Sequence, residues 1–260
     1  MEVNWEEVQL ALKPIKNYED LCQRLRRSFS YAFVRETFNL TIPDLIGYTQ
    51  KLLGGDARKR YDAYALHLTR TLTELHQIGV QNVLDLKSRV ESREKLEDFV
   101  QRNGIKATDL AGVLKYLIYW FIPPEKYLSG LVRDNPVISN AIKGLSESGI
   151  RTNLQLLQRT ITSQGRKSLA EATGISASII SELVNRADFS RLPWSSKATI
   201  SNIIGAGYGS IDKLAHADPE KLYADFFRYG KSIGKNLKLG NEIENSYRIA
   251  QIVPEILHGE

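Results

Sequence analysis

The chain has 260 residues, of which 42% are hydrophobic, so it can bury a sizeable core and form one or two domains. Lysine and arginine outnumber aspartate and glutamate by 35 to 30, and the net charge of +5 permits an anionic partner while falling far short of a histone-like protein. The lone cysteine, Cys22, excludes an intrachain disulfide and a cysteine-based metal site.

Helix signals begin close to the N-terminus. Asn17 followed by Asp20 is an N-cap pattern, and it predicts a helix through the next residues, LCQRLRRSF. Pro43 and Asp44 open another helix through LIGYTQKLL, because proline and an acidic residue both favour a first helical turn.

A longer helix follows. Asp56 is expected to cap it and Gly79 to end it, since apolar residues between them recur every three or four positions. Further helices are predicted around VLDLKSRV, around REKLEDFVQ and over residues 107 to about 120. Pro123 and Pro124 are expected to close that last helix and open the next, because proline is tolerated in a first turn but not inside a helix.

The same course continues in the second half. Asn135 and Pro136 start a helix, and Asp218 and Pro219 cap another through EKLYADFFRY. A last helical stretch is limited by Pro254.

The central part of the sequence occurs twice. Residues 75–124 align with residues 145–194 at a constant offset of seventy and without a gap. Such a match predicts one supersecondary unit that was built twice. The identical pairs are Leu75/Leu145, Gly79/Gly149, Leu84/Leu154, Leu86/Leu156, Arg89/Arg159, Gly104/Gly174, Ile105/Ile175, Ala107/Ala177 and Pro123/Pro193.

The repeat predicts an all-α fold in which similar helical units form an elongated array. Ile203, Gly207 and Leu214 keep the spacing of Leu145, Gly149 and Leu156, so a third, partial copy is expected. We divide the chain into an N-terminal helical cap (1–70), a first repeat (71–140), a second repeat (141–205), and a partial third repeat with a C-terminal cap (206–260).

Residues 166–205 read as helix, tight turn, helix, the short connector ADFSRL, a second turn and a helix. This order resembles the helix-hairpin-helix superfamily in its tandem form. More closely, SLAEATGISASIISELVNRADFSRLPW and the downstream GYGSIDKLAHADPEKL are similar to a helix-hairpin-helix family that is still described as a domain of unknown function. The resemblance covers residues 145 to about 255 and, through the internal repeat, residues 75–133.

In that superfamily, hairpin glycines let backbone N–H groups approach a DNA phosphate, and the positive end of the following helix attracts the same group. The resemblance therefore implies a non-enzymatic protein that binds duplex DNA without reading its sequence. Pro123-Pro124-Glu125 removes two donors and adds a negative charge, so we expect no phosphate there. The matching positions are Gly104, Ile105 and Lys106 in the first copy, Gly174, Ile175 and Ser176 in the second, and the glycine-free later turn Ser195, Ser196 and Lys197.

Basic residues are grouped in three places. If they share the face that carries Gly174, they form a stripe that follows phosphates; otherwise they are an ordinary solvated surface. The groups are Arg151, Arg159, Arg166 and Lys167; Arg228, Lys231, Lys235 and Lys238; and Lys51, Arg58, Lys59 and Arg60.

Two aromatic features leave alternatives open. Trp194 stands in a turn, where it is either folded under the helices or presented to a partner as an anchor. The modest net charge and the Pro123-Pro124-Glu125 turn favour, as the alternative to DNA binding, a protein–protein interaction scaffold whose hairpins have lost phosphate binding and whose surfaces, including Trp194, contact a protein. The aromatic run Tyr116, Tyr119, Trp120 and Phe121 is either core or a platform for bases, and its helical spacing favours the core.

Catalytic patterns are not visible in the sequence. The histidines His67, His76, His216 and His258 lack ligand spacing, and the glycines near 205–209 lack the strand and the lysine of a phosphate loop. We therefore expect no enzyme activity, metal, cofactor or small-molecule substrate. The lone cysteine, the acidic start MEVNWEE and the absence of a long apolar run predict a cytoplasmic protein without a membrane partner.

Overall fold

The computed structural model describes residues 2–54, 59, 61–133, 135–193, 195–237 and 241–258, apart from the side chains of residues 241 and 242. Over these residues the regular elements are all helical, which confirms the predicted all-α class. No helix of the described part is long and apolar enough to cross a membrane. Several residues singled out in the sequence lie outside it, namely Asp56, Arg58, Arg60, Trp194 and Lys238.

The chain divides into two compact units, residues 1–122 and residues 123–260. The first unit contains eight described α-helices and one π-helix: α1 (Trp5–Leu12), α2 (Tyr18–Ser28), α3 (Ala32–Phe38), α4 (Ile42–Gly54), α5 (Asp62–Gln77), α6 (Val83–Arg89), α7 (Arg93–Asn103), α8 (Ala107–Tyr116) and the π-helix Leu117–Phe121.

Local signals set the ends of the first unit's helices. The side chain of Asn17 accepts a hydrogen bond from the Asp20 N–H at 2.8 Å, which confirms the predicted cap of α2. Two members of the aromatic run are interior: Tyr116 is fully buried, and the Phe121 ring packs edge-on against Phe38 and Tyr48. Trp120 is half-buried, and Tyr119 is 39% exposed. These contacts favour the core interpretation over a platform for bases.

The second unit begins with a short 3₁₀ helix, and eight α-helices follow it in the described residues. They are the 3₁₀ helix Leu128–Leu131, α9 (Pro136–Glu147), α10 (Asn153–Thr160), α11 (Ser163–Thr173), α12 (Ala177–Phe189), α13 (Lys197–Gly205), α14 (Ile211–Ala215), α15 (Pro219–Ser232) and α16 (Asn241–Ala250).

Helices of the two copies recur at the offset of seventy. Helix α7 and helix α11 start and end seventy residues apart, and so do the first residues of α8 and α12. Gly104 and Gly174 adopt the left-handed conformation with φ of 70° and 67°, which confirms the predicted turn at each position. One local turn geometry is therefore present in both copies.

The copies diverge after residues 116 and 186. In the second copy α12 continues to Phe189, so the prediction that Ala187 already belongs to a connector is wrong. Ala187 and Phe189 are both fully buried, and continuing the helix keeps them in the core. In the first copy a π-helix follows instead.

The prediction that Pro123 and Pro124 open a helix is also wrong. Residues 123–127 are not helical, and Tyr127 forms an isolated antiparallel bridge with Thr152. The Leu128 N–H donates to the Arg151 carbonyl at 3.0 Å. Pairing with the start of α10 satisfies backbone groups that a helix would otherwise have satisfied.

Candidate nucleic-acid interface

Two glycine turns carry the residues with the strongest predicted role. The second glycine turn, residues 174–176, joins α11 to α12. Ser176 is the N-cap of α12, but its side chain makes no capping hydrogen bond within the described structure. By contrast, side chains of Thr152, Thr162 and Ser196 cap α10, α11 and α13. The Ile179 N–H donates to the Ser176 carbonyl at 3.1 Å. Within the described structure, the N–H groups of Ala177 and Ser178 are therefore left for another acceptor, at the positive end of the helix.

The first turn of α12, all of whose residues the structure describes, has small side chains next to the N-cap and no acidic residue. Ser176, Ala177 and Ser178 are exposed, and the two serine hydroxyls lie 3.1 Å apart. An anion can approach the backbone here without displacing a large side chain.

The first glycine turn, residues 104–106, joins α7 to α8 in the same way. Lys106 also gives α8 no side-chain cap among the described residues, and the Gly104 N–H donates to the Val100 carbonyl at 2.9 Å. The side chain of Ile105 is buried. Asp109 stands in the first turn of α8, with its Oδ1 3.4 Å from Nε2 of His67. A carboxylate at this end of the helix competes with any external anion.

A groove of about 820 Å³ opens beside the second glycine turn. Its walls come from α11, α12, α14 and the segment after α16. Ala177, the first residue of α12, lines the groove together with Lys167 and Lys213, both exposed lysines. The start of α12 and two lysines, which lie 46 residues apart in the chain, thus face one space.

The groove also contains carboxylates. Asp212 lies 3.0 Å from Nδ1 of His216, and Glu255 is exposed at another part of the wall. Asp188 is buried and accepts a hydrogen bond from Nε of Arg191 at 2.7 Å. Burial raises the pKa of the Asp188 carboxyl, and the neighbouring guanidinium opposes this shift. The lysines therefore supply only a modest excess of positive charge.

The predicted basic group of residues 151–167 is split by the structure. Arg166 and Lys167 line the groove, whereas Arg151 and Arg159 are exposed but are not among its described lining residues. The guanidinium of Arg166 donates from Nη1 to the carbonyls of Thr160 and Ile161, each at 3.1 Å. Arg166 thus satisfies carbonyls at the end of α10, and Lys167 is the more accessible cation.

The later turn around residues 195–197 is held by hydrogen bonds from a buried lysine side chain. Ser195 is buried, and its hydroxyl accepts a hydrogen bond from Nζ of Lys126 at 3.2 Å. The same ammonium donates to the carbonyls of Ser190 and Ser195, each at 3.1 Å. Ser196 caps α13, and Lys197 is half-buried. We therefore leave Ser195 out of the proposed contact surface.

Sequence reasoning missed two residues that matter here. Lys126 follows Pro123 and Pro124, which were expected to open a helix, and no sequence signal marked it as buried, yet burial lowers its pKa to about 8. Lys213 is an isolated lysine on a five-residue helix, so no charge cluster marks it. It lines the same groove as Lys167 only because α14 packs near α12.

Residues 137–244 match the model of a family described as a domain of unknown function (DUF4332). The match covers less than half of the chain and includes the second glycine turn, Lys167 and Lys213. The chain matches no curated protein and no solved structure. Over the matched segment, the predicted similarity to a domain of unknown function is confirmed.

Proposed function

We propose that the second unit binds the phosphate backbone of duplex DNA without reading base sequence, as the resemblance to the helix-hairpin-helix superfamily implies. One observation carries this proposal. The start of α12, which lacks a side-chain cap in the described structure, lines the same groove as the exposed Lys167 and Lys213.

Each part has a direct chemical role. Backbone N–H groups at the start of α12 donate to phosphate oxygens, and the helix dipole favours the negative charge. Lys167 and Lys213 neutralise phosphates next to that position. Since every nucleotide carries the same phosphate, binding of this kind is independent of sequence.

The first glycine turn contributes less in this proposal. Its backbone has the same shape, but Asp109 places a carboxylate in the first turn of the following helix. Lys106 supplies one exposed cation there. We therefore assign the main contact to the second glycine turn and an auxiliary one to the first.

The test is a salt titration of binding to a random-sequence duplex, with the full chain and fluorescence anisotropy as readout. Lys167→Ala and Lys213→Ala should each weaken binding equally for any duplex and flatten the slope of log affinity against log salt by about 0.9. Lys16→Ala removes an exposed lysine of the first unit and is the matched control. A protein without salt-sensitive duplex binding, or groove variants that bind like the control, would overturn the proposal.

The scaffold alternative is tested in the same series. It depends on Trp194, which lies outside the described residues. If the turn presents this ring to a protein, Trp194→Ala reduces binding to that protein and leaves duplex affinity unchanged.

A further inference from the structure

Helix α15 of the second unit carries an exposed row of side chains. Leu222 and Phe226 are buried and anchor the helix in the unit. Tyr223 is 58% exposed and Phe227 is 44% exposed, so both rings face away from the core. Residues three or four apart are neighbours on a helix surface, so the row continues in both directions. It consists of Glu220, Tyr223, Phe227 and Lys231, and we call it the outer row.

The outer row has opposite charges at its two ends. Glu220 and Lys231 are both exposed, and Glu220 forms no ion pair with another described residue. Nζ of Lys231 lies 4.5 Å from the centre of the Phe227 ring, so the lysine borders the ring at its end of the row. Two further cations of the helix, Lys221 and Arg228, are each paired with an aspartate of the same helix. The row therefore has one acid at the start of the helix and one base near its end.

Such a row is complementary to the same row of a second molecule in the opposite direction. Antiparallel packing places Glu220 opposite Lys231 of the partner molecule and Tyr223 opposite Phe227. One two-fold axis serves both pairings, because the charged pair is centred between residues 225 and 226 and the aromatic pair on residue 225. A two-fold interface requires this reciprocity, in which two residues of one molecule each meet the other's equivalent in the partner.

From this self-complementarity we infer that the outer row binds a second molecule of this protein, with two antiparallel α15 helices packed along their rows. The Tyr223 ring of each molecule packs against the Phe227 ring of the other, the contact that aromatic pairs favour edge-on or offset. Glu220 and Lys231 form one ion pair at each end, about 16 Å apart along the helix. Ala224 is exposed beside the row, and its small side chain lets the two helices approach closely.

Other occupants match the outer row less well. Glu220 repels the phosphates of a nucleic acid and of an anionic membrane at one end of the row. An acidic polypeptide satisfies Lys231 and is repelled by Glu220 in the same way. A single row buries less than the about 800 Å² per partner of a stable complex, so we expect a weak dimer. None of the four row residues is among the described lining residues of the groove, so the inference stands independently of duplex binding.

The experiment is sedimentation equilibrium of the full chain at low salt over about 5 to 300 µM, where a small interface is populated. The native protein should dimerise. Glu220→Lys and Lys231→Glu should each weaken dimerisation about tenfold, because both ion pairs become contacts between like charges. Glu220 and Lys231 are exposed, so these changes leave the core intact. The double variant Glu220→Lys with Lys231→Glu should restore dimerisation, because its charges are complementary again.

Tyr223→Ala with Phe227→Ala removes the centre of the interface and should weaken dimerisation at least about tenfold. Lys143→Glu reverses an exposed charge on α9, and Tyr127→Ala removes a ring that is 66% exposed. These matched controls should dimerise like the native protein.

Three results would overturn the inference. The first is a native protein that stays monomeric over the whole range, and the second is a double charge variant that does not regain dimerisation. The third is dimerisation that the ring variant retains, which would place the contact elsewhere. If the monomer instead cosedimented with phosphatidylserine vesicles and the ring variant did not, the outer row would be a membrane contact.

Discussion

The first and second glycine turns have nearly the same backbone and different surroundings. Their glycines differ by only three degrees in φ, and neither following helix has a side-chain cap in the described structure. In the first copy Asp109 occupies the first turn of α8, whereas the first turn of α12 has no acid among its described residues. The comparison teaches that the turn sequence sets the backbone shape, while the charges of neighbouring side chains set how favourable the helix start is for an anion.

The largest expected effect concerns a buried ion pair that only the second copy has. Asp188 and Arg191 occupy the positions of Ile118 and Phe121 in the first copy. Asp188→Ala leaves the Arg191 guanidinium buried without its carboxylate, and should lower the free energy of unfolding by about 3–5 kcal/mol.

The double change Asp188→Ile and Arg191→Phe introduces the first copy's residues. It should lower the free energy of unfolding by less than Asp188→Ala alone does, because apolar groups of similar volume can replace a buried ion pair. Denaturant titration checks both variants. A double variant less stable than the single one would show that the copies have incompatible cores at this point.

Replacing the glycine of either turn by valine should destabilise the protein to a similar extent. Gly104→Val and Gly174→Val should each lower the free energy of unfolding by about 1 kcal/mol or more, because a branched residue is strained at positive φ. A Cβ at either position meets nothing within 4 Å in the described structure, so backbone strain is the expected cause in both copies. Thermal unfolding of the two variants measures the losses. Clearly unequal losses would break the equivalence of the turns.

The ionisation of Lys126 is a probe of residues 123–127, where the two copies diverge. Its pKa in the folded protein is about 8, below the ordinary value of 10.5, because burial disfavours the charged form. Between these values the unfolded chain binds more protons, so the ionisation of Lys126 makes the folded state more stable as pH rises.

The stability difference between the native protein and Lys126→Met should therefore shift toward the native protein from pH 8 to pH 10.5. Urea titrations at several pH values give this difference, and the comparison cancels other titrating groups that the two proteins share. A difference independent of pH would mean that Lys126 keeps an ordinary pKa.

The smallest effect is expected from Asp109→Asn. Removing the carboxylate from the first turn of α8 should strengthen duplex binding by about 0.3–1 kcal/mol if the first turn contacts phosphate, the typical size of a charge–dipole interaction. Asp98→Asn neutralises an exposed acid of α7 and is the control. Equal behaviour of both variants would assign duplex binding to the second copy alone.

Much of the helix pattern was predictable from short-range rules. Asn17 caps α2 and Asn135 caps α9, because an extended residue with a short polar side chain satisfies the first N–H groups of a helix. The left-handed turns followed from Gly104 and Gly174, and the gapless repeat located both. These rules need only residues a few positions apart, so the amino-acid sequence alone determined them.

Tertiary structure decided where the second copy departs from its pattern and which residues share a surface. The burial of Ala187 and Phe189 extends α12 into the residues that were expected to form a connector. The side chain of Lys126 is directed into the unit and donates a hydrogen bond to the hydroxyl of Ser195. Lys167 and Lys213 line one groove only because α14 packs near α12. Burial and convergence depend on contacts between distant segments, and side-chain periodicity within one helix carries no information about them.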